Sequence, residues 1–224
     1  MACLGGLLAI GILGMFIYKT ILEKRFAREA LAQVLVTFGM LLIISDLCRW
    51  IWGGNPLAIP KPEILQGSIY WGKMVFPLYR LAVIIMGIII LIFLWWFQEK
   101  TKYGAIVRAG VDDEEMTQGI GINISLVKTL IFSIGAVLAG FAGVIGGPFI
   151  GLSTGLDIEI LLLAIVVVII GGMGSLGGAF IGALLIGLID SFGKSLLPEL
   201  SIFTIFAAMV VVLAIKPSGL FGIK

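Results

Sequence analysis

The 224-residue chain is 60% hydrophobic and only 12% charged, with a mean hydropathy of +1.20 and a formal net charge of +2. That balance excludes a water-soluble globular domain, and the near-neutral charge argues against a nucleic-acid partner. Histidine is absent and the two cysteines, Cys3 and Cys48, lie far apart, so no metal site, cofactor or catalytic site is expected.

Apolar runs follow one another along the chain, at Met1 to Tyr18, Leu31 to Trp52, Leu81 to Phe97, Thr129 to Ile150, Ile158 to Asp190 and Ile202 to Ile215. None alternates polar with apolar as a barrel strand would, so helices must satisfy the backbone in lipid. The first run has no basic leader and no cleavage site, which makes it a span and not a removable signal. In the second run, Asp46 and Arg49 stand three apart near one end, where an interfacial ion pair is preferred to a place on a substrate route. Asp157, Glu159 and Asp190 likewise fall near the ends of spans. The run from Ile158 to Asp190 overshoots a bilayer that needs about 20 residues per crossing. Gly171 to Gly178 sits in its middle, so it reads as two short helices around a glycine-rich turn. The expectation is an all-α polytopic bundle of about seven membrane segments, in a single transmembrane domain over residues 1–224.

Basic residues orient it. With Lys19, Lys24, Arg25 and Arg28 inside, alternation also places Lys100, Lys102, Arg108, Lys128, Lys216 and Lys224 inside. That gives 10 basic residues inside and five outside, the latter being Arg49, Lys61, Lys73, Arg80 and Lys194. Trp95 and Trp96 then occupy the inner aromatic belt, with Trp50, Trp52 and Trp71 at the outer one. The chain starts outside, which hints at missing preceding sequence, and the C-terminus is cytoplasmic.

The polar block from about residue 98 to 128 is longer than a helix connection requires. Ala105 to Val111 can form a short amphipathic turn with Arg108 on its wet side. Asp112, Asp113, Glu114 and Glu115 suit the N-terminus of a short helix, where negative charge contributes about 0.3–1 kcal/mol. Gly119 and Gly121 end the element. Charge alone fits a solvated acidic loop better than a partner site; length and glycine punctuation favour docking.

Glycine accounts for 31 residues. Gly135, Ala139, Gly143, Gly147 and Gly151 recur every four positions, and Gly178 and Gly182 repeat the spacing, as close helix packing requires. Packing within one bundle is preferred to a transporter interface or pathway for any one of them. Gly171, Gly172 and Gly174 with Ser175 weaken a helix more than packing needs, and discontinuous helices line polar pathways.

Gly104 and Arg108-Ala109, the acidic group, and Gly119-Ile120-Gly121-Ile122-Asn123 together resemble the cytoplasmic coupling loop of the branched-chain amino acid ABC importer permeases. Gly171-Gly172-Met173-Gly174-Ser175 with Gly178-Ala179 and Gly182-Ala183 resembles the glycine signature of that family. Lys216-Pro217-Ser218-Gly219-Leu220-Phe221-Gly222 resembles its ending. The resemblance implies a non-catalytic subunit of a prokaryotic inner-membrane importer of branched-chain amino acids, urea or amides. It implies ATP-binding subunits, a second permease (a paralogue or a copy of itself) and an extracytoplasmic solute-binding protein as partners, besides the lipid bilayer. Gly104, Arg108, Ala109, Asp112, Asp113, Glu115, Gly119 and Gly121 would carry coupling, and rigid-body movement of that loop would switch the pore. No Gly-x-x-x-x-Gly-Lys-(Ser/Thr) loop is present, so hydrolysis would lie elsewhere. Two departures stand out: the expected opening spans with an Asn-Phe-Ala-His-Gly-like motif are missing, and Gly110 and the acidic run differ from the commonest loop. The alternatives are an ATP-independent secondary transporter or channel, which needs buried carboxylates, an inactive permease fragment, and a membrane scaffold.

Overall fold

The computed structural model describes residues 2–23, 30–71, 74–196 and 198–222. Lys24, Arg25, Arg28, Lys73 and Lys224 lie outside the described residues, and with them five of the 15 basic residues on which the expected orientation rests. The chain forms two compact units, residues 1–154 and 155–224.

In the first unit, α1 (Ala2–Ile17) runs on into a π-helical turn at Tyr18–Leu22. Then come α2 (Ala30–Trp52), α3 (Leu78–Lys100), the short helices α4 (Lys102–Asp112) and α5 (Glu114–Gly119), and α6 (Ile124–Ile150). The second unit holds α7 (Leu156–Gly171), α8 (Leu176–Leu196) and α9 (Ser201–Ile215), followed by an irregular tail. Among the described residues, five helices are long and apolar enough to cross a membrane: the α1 helix with its π turn, α2, α3, α6 and α8. At 16 and 15 residues, α7 and α9 are shorter. The architecture is therefore all-α and polytopic, with the long apolar run broken into α7 and α8 at the glycines.

Small residues decide the packing of the first unit. A Cβ on Gly11 would lie 2.6 Å from Val137, one on Gly14 2.7 Å from Ala136, and one on Gly140 2.7 Å from Ile10. These contacts run in opposite directions along the two chains, so α1 and α6 are antiparallel neighbours whose backbones approach because side chains are absent. Thr129 and Ser133 are buried on α6 and donate back to the Ser125 and Thr129 carbonyls at 2.8 Å, which satisfies their hydroxyls inside their own helix. At the other end of α6, buried Tyr79 donates to the Ile145 carbonyl at 2.6 Å, beside Pro148, where the helix lacks one amide donor. Arg80 lies 5.2 Å from the Phe149 ring centre. These two contacts pin the start of α3 to the end of α6.

One element was not read from the sequence. Between α2 and α3 an antiparallel hairpin joins β1 (Ser68–Trp71) to β2 (Met74–Pro77), with Ser68 opposite Pro77 and Tyr70 opposite Val75. Its β-branched and aromatic residues are strand formers, but the stretch is too short for hydropathy to single out. Leu57 and Leu152 exchange backbone hydrogen bonds of 2.8 and 3.0 Å, which ties this connection to the segment after α6.

In the second unit the core is Val166, Ile170, Ile186 and Ile205, with Leu163, Met209 and Leu220 packed around it. Asp46 and Arg49 form an exposed pair at 3.7 Å, and Lys194 bonds Asp190 at 2.8 Å. Both are one-turn pairs on a helix surface, of little energetic weight.

Candidate coupling elbow and glycine knot

The polar block folds as an elbow at the end of α3. Thr101 is the N-cap of α4: its Oγ1 accepts from the Gly104 amide at 3.1 Å and donates to the Phe97 carbonyl. Gly104 is buried, and a Cβ there would lie 2.2 Å from the Gln98 carbonyl oxygen and 2.6 Å from that of Phe97. Only glycine permits the approach. Four residues on, Arg108 turns back and donates to the Gln98 carbonyl, while its guanidinium stands 3.6 Å from Glu99. A cation at the C-terminal carbonyls of a helix also meets the negative end of its dipole. Arg108 is thus half-buried against α3 and not on the wet side of an amphipathic turn.

Asp113 closes α4 and opens α5: its Oδ1 accepts from the Met116 amide at 2.9 Å, as its place before a helix suggested. Thr117, which sequence reasoning passed over, is buried and donates to the Ala109 carbonyl at 3.0 Å and the Asp113 carbonyl at 2.7 Å, fastening α5 onto α4. Ala109 itself is exposed and contributes that carbonyl; Glu115 is exposed on α5, and Asp112 is the last residue of α4. Gly121 takes φ +88, and Gly119 has open space around it. Asn123 then caps α6 by accepting from the Leu126 amide at 3.2 Å. A Cβ on Gly110 would be 3.2 Å from Ile124, itself buried at the start of α6. Tyr103, Met116 and Ile120 are 68%, 71% and 72% exposed, an unusual excess of bare apolar surface on a polar loop. A cleft of about 190 Å³ opens beside α5, lined by Tyr18, Glu23, Gln33, Gln118, Ser125 and Lys128 among others, with Ser125 donating to Glu23.

In the second unit two motifs that are far apart in sequence form one structure. Gly171 and Gly178 face each other so closely that a Cβ on either would lie 2.4 or 2.2 Å from the other's carbonyl, and one on Gly182 2.7 Å from the Val167 carbonyl. The α7–α8 hairpin thus crosses backbone on backbone. Gly172 and Gly174 adopt φ +98 and +86 in the turn, and Ser175 caps α8 by accepting from the Gly178 amide at 3.0 Å. The tail docks here: Leu220 and Phe221 donate to the Ile170 and Gly171 carbonyls at 2.8 and 3.0 Å. Those are the last carbonyls of α7, which a helix end leaves without partners. A Cβ on Gly172 would meet the Gly222 amide nitrogen at 2.3 Å, and one on Gly219 would meet Gly172 at 2.6 Å. The glycine signature packs against the tail, backbone on backbone. Leu220→Ala, which leaves both backbone bonds and removes the packed side chain, is expected to cost about 1–3 kcal/mol. Thermal unfolding in detergent against wild type measures it, and an unchanged midpoint would detach Leu220 from the core.

Of the periodic glycines on α6, Gly147 would place a Cβ 3.0 Å from Ile59, whereas Gly135 and Gly143 meet nothing within 4 Å. The face packed on α1 is the adjacent one, through Ala136 and Gly140.

The family model described as "Branched-chain amino acid transport system / permease component" matches residues 1–215. The chain is 28% identical over 86% of its length to the high-affinity branched-chain amino acid transport system permease protein BraD of Pseudomonas aeruginosa, covering 64% of that protein. It is 25% identical over 87% of its length to the LivH permease protein of Salmonella typhimurium, covering 65%, and 29% identical over 75% to the ribose import permease protein RbsC of Escherichia coli, covering 48%. The chain thus spans between about half and two thirds of the lengths of these relatives. No solved structure matches it.

Proposed function

The chain belongs to the family of branched-chain amino acid transport system permease components, and on that premise we propose that it is the membrane permease subunit of an ATP-driven importer. Its solute is a branched-chain amino acid or a related small polar molecule such as urea or an amide, moved inward across a prokaryotic plasma membrane. The observation that carries the reading is the elbow: a compact helix pair, braced on the end of a membrane-length helix, that exposes Tyr103, Met116 and Ile120. Apolar anchors on a water-facing rigid element suit a groove in a soluble partner, here an ATP-binding subunit. The α4–α5 side and the C-terminal tail are assigned to the cytoplasm, where the positive-inside count puts them. An extracytoplasmic solute-binding protein and a second permease, a paralogue or a copy of this chain, complete the assembly.

An ion-coupled secondary transporter is disfavoured, because it would bury carboxylates within the bundle. Among the described residues the buried side chains that carry polar atoms are those of Tyr79, Thr117, Thr129 and Ser133, none of them a carboxylate. With no phosphate-binding loop in the sequence, hydrolysis is assigned to the partner.

Affinity purification of the tagged chain from its native membrane tests this. Wild type is expected to bring down an ATP-binding subunit, and Ile120→Glu with Met116→Glu to recover about tenfold less, the scale of losing one or two interface anchors. A wild-type sample free of any ATPase sinks the importer reading.

A further inference from the structure

We infer that Arg108 is a positioning residue, a strut that makes α3 and α4 a single rigid lever. It is not a contact for the ATP-binding subunit. The inference rests on the importer reading above and specifies how movement of the coupling element reaches the membrane.

Three independent features close the α3–α4 corner. Thr101 caps α4 while bonding the Phe97 carbonyl; Gly104 lets the first turn of α4 lie on the Phe97 and Gln98 carbonyls; and Arg108 reaches back from the next turn to Gln98 and Glu99. Gly104 and Arg108 are four apart, so both fall on the face of α4 turned to α3. The same Nη1 meets a backbone acceptor and a carboxylate on successive residues, and a lysine at this position would bring its charge there only as a compact ammonium. At its far end α3 is held by the Tyr79–Ile145 hydrogen bond and by Arg80 against Phe149. A push on α4 therefore cannot be absorbed at the corner and must turn α3 about that far contact.

The junction with α6 is built differently. There the chain passes through Gly119 and through Gly121 at φ +88, and a Cβ added at either would meet nothing within 4 Å. Contacts on this side include Gly110 on Ile124 and the Ile122 amide on the Thr117 carbonyl at 3.4 Å, while Thr117 braces α5 on α4. The lever arm is α3, and the α5–α6 link is the compliant side of the same element.

The test uses the complete transporter purified through this subunit and reconstituted in vesicles, comparing wild type, Arg108→Gln and Arg108→Lys. The expected result is that Arg108→Gln retains the ATP-binding subunit and its hydrolysis but transports about 2- to 30-fold less solute per ATP, the range by which residues within a coupling path shift it. Arg108→Lys should recover part of the loss. Spin labels at Phe93 on α3 and Ala109 on α4, in a background free of the native cysteines, should give a narrow distance distribution in wild type and a broader one in Arg108→Gln. Loss of the ATP-binding subunit from Arg108→Gln overturns the inference by making Arg108 a contact. Unchanged transport per ATP, or an unchanged label distribution, overturns it as well. A wild-type sample with no ATP-binding subunit is recognisably different, since it removes the importer reading and the lever together.

Discussion

Gly172→Ala is expected to prevent the second unit from reaching its folded state. Gly172 holds φ +98, a conformation costing a side-chain-bearing residue about 1–3 kcal/mol. Its Cβ would also sit 2.3 Å from the Gly222 amide nitrogen and 2.7 Å from the Gly222 Cα. Those atoms are backbone, so relief means lifting the tail from the end of α7, an overpacking cost of about 1–3 kcal/mol. Together, at about 2–6 kcal/mol, the two reach the lower end of the stability of a typical domain, about 5–15 kcal/mol. Two neighbours separate the causes. Gly174 has φ +86 but open surroundings, so Gly174→Ala should carry the conformational cost alone, about 1–2 kcal/mol. Gly177 has neither a positive φ nor a neighbour within 4 Å, and Gly177→Ala should stay within about 1 kcal/mol of wild type. The measurement is the yield of monodisperse protein in detergent together with its unfolding midpoint. Equal behaviour of Gly172→Ala and Gly174→Ala would mean that the tail does not lie against the turn.

Gly104→Val is the second large effect, and it should appear in transport, not insertion. The added Cβ would lie 2.2 Å from the Gln98 carbonyl oxygen, 2.6 Å from the Gln98 carbonyl carbon and 2.6 Å from the Phe97 carbonyl oxygen. All three belong to the last turns of α3, so α4 must swing away and Arg108 loses its acceptor. The helices that cross the membrane are untouched. Overpacking of about 1–3 kcal/mol placed on the corner converts to about a 5- to 150-fold loss of transport. Gly177→Ala, whose added Cβ meets nothing within 4 Å, should transport as wild type. Solute uptake by reconstituted vesicles at matched protein content checks both, and full activity of Gly104→Val would mean that the corner bears no load.

The membrane class, the helical architecture, the break at Gly171 and a short helix begun by the acidic group were legible in the sequence. Each is a local property. Hydropathy over about 20 residues reports immersion in lipid, clustered glycines report a weak helix, and a run of acidic residues suits the start of a short helix. Four-residue spacing of small residues was legible too, but not which face would use it. Lipid and a neighbouring helix are equally apolar, so the pattern at Gly135, Gly143 and Gly147 cannot be told from that at Ala136 and Gly140 without the partner helix in place. Gly11 and Gly14 supplied that partner from more than a hundred residues away in the chain.

The sequence by itself therefore determined what kind of protein this is and where its long apolar run breaks. Only the tertiary structure decided what its motifs touch. It brought the Pro217 to Gly222 ending onto the Gly171–Gly174 turn, so that two signatures became one knot, and it turned Arg108 from solvent toward the end of α3. The physical reason is that helix-end carbonyls carry no sequence mark. The Ile170, Gly171 and Gln98 carbonyls become acceptors because their helices stop there, and which donor reaches them depends on where the rest of the chain is folded.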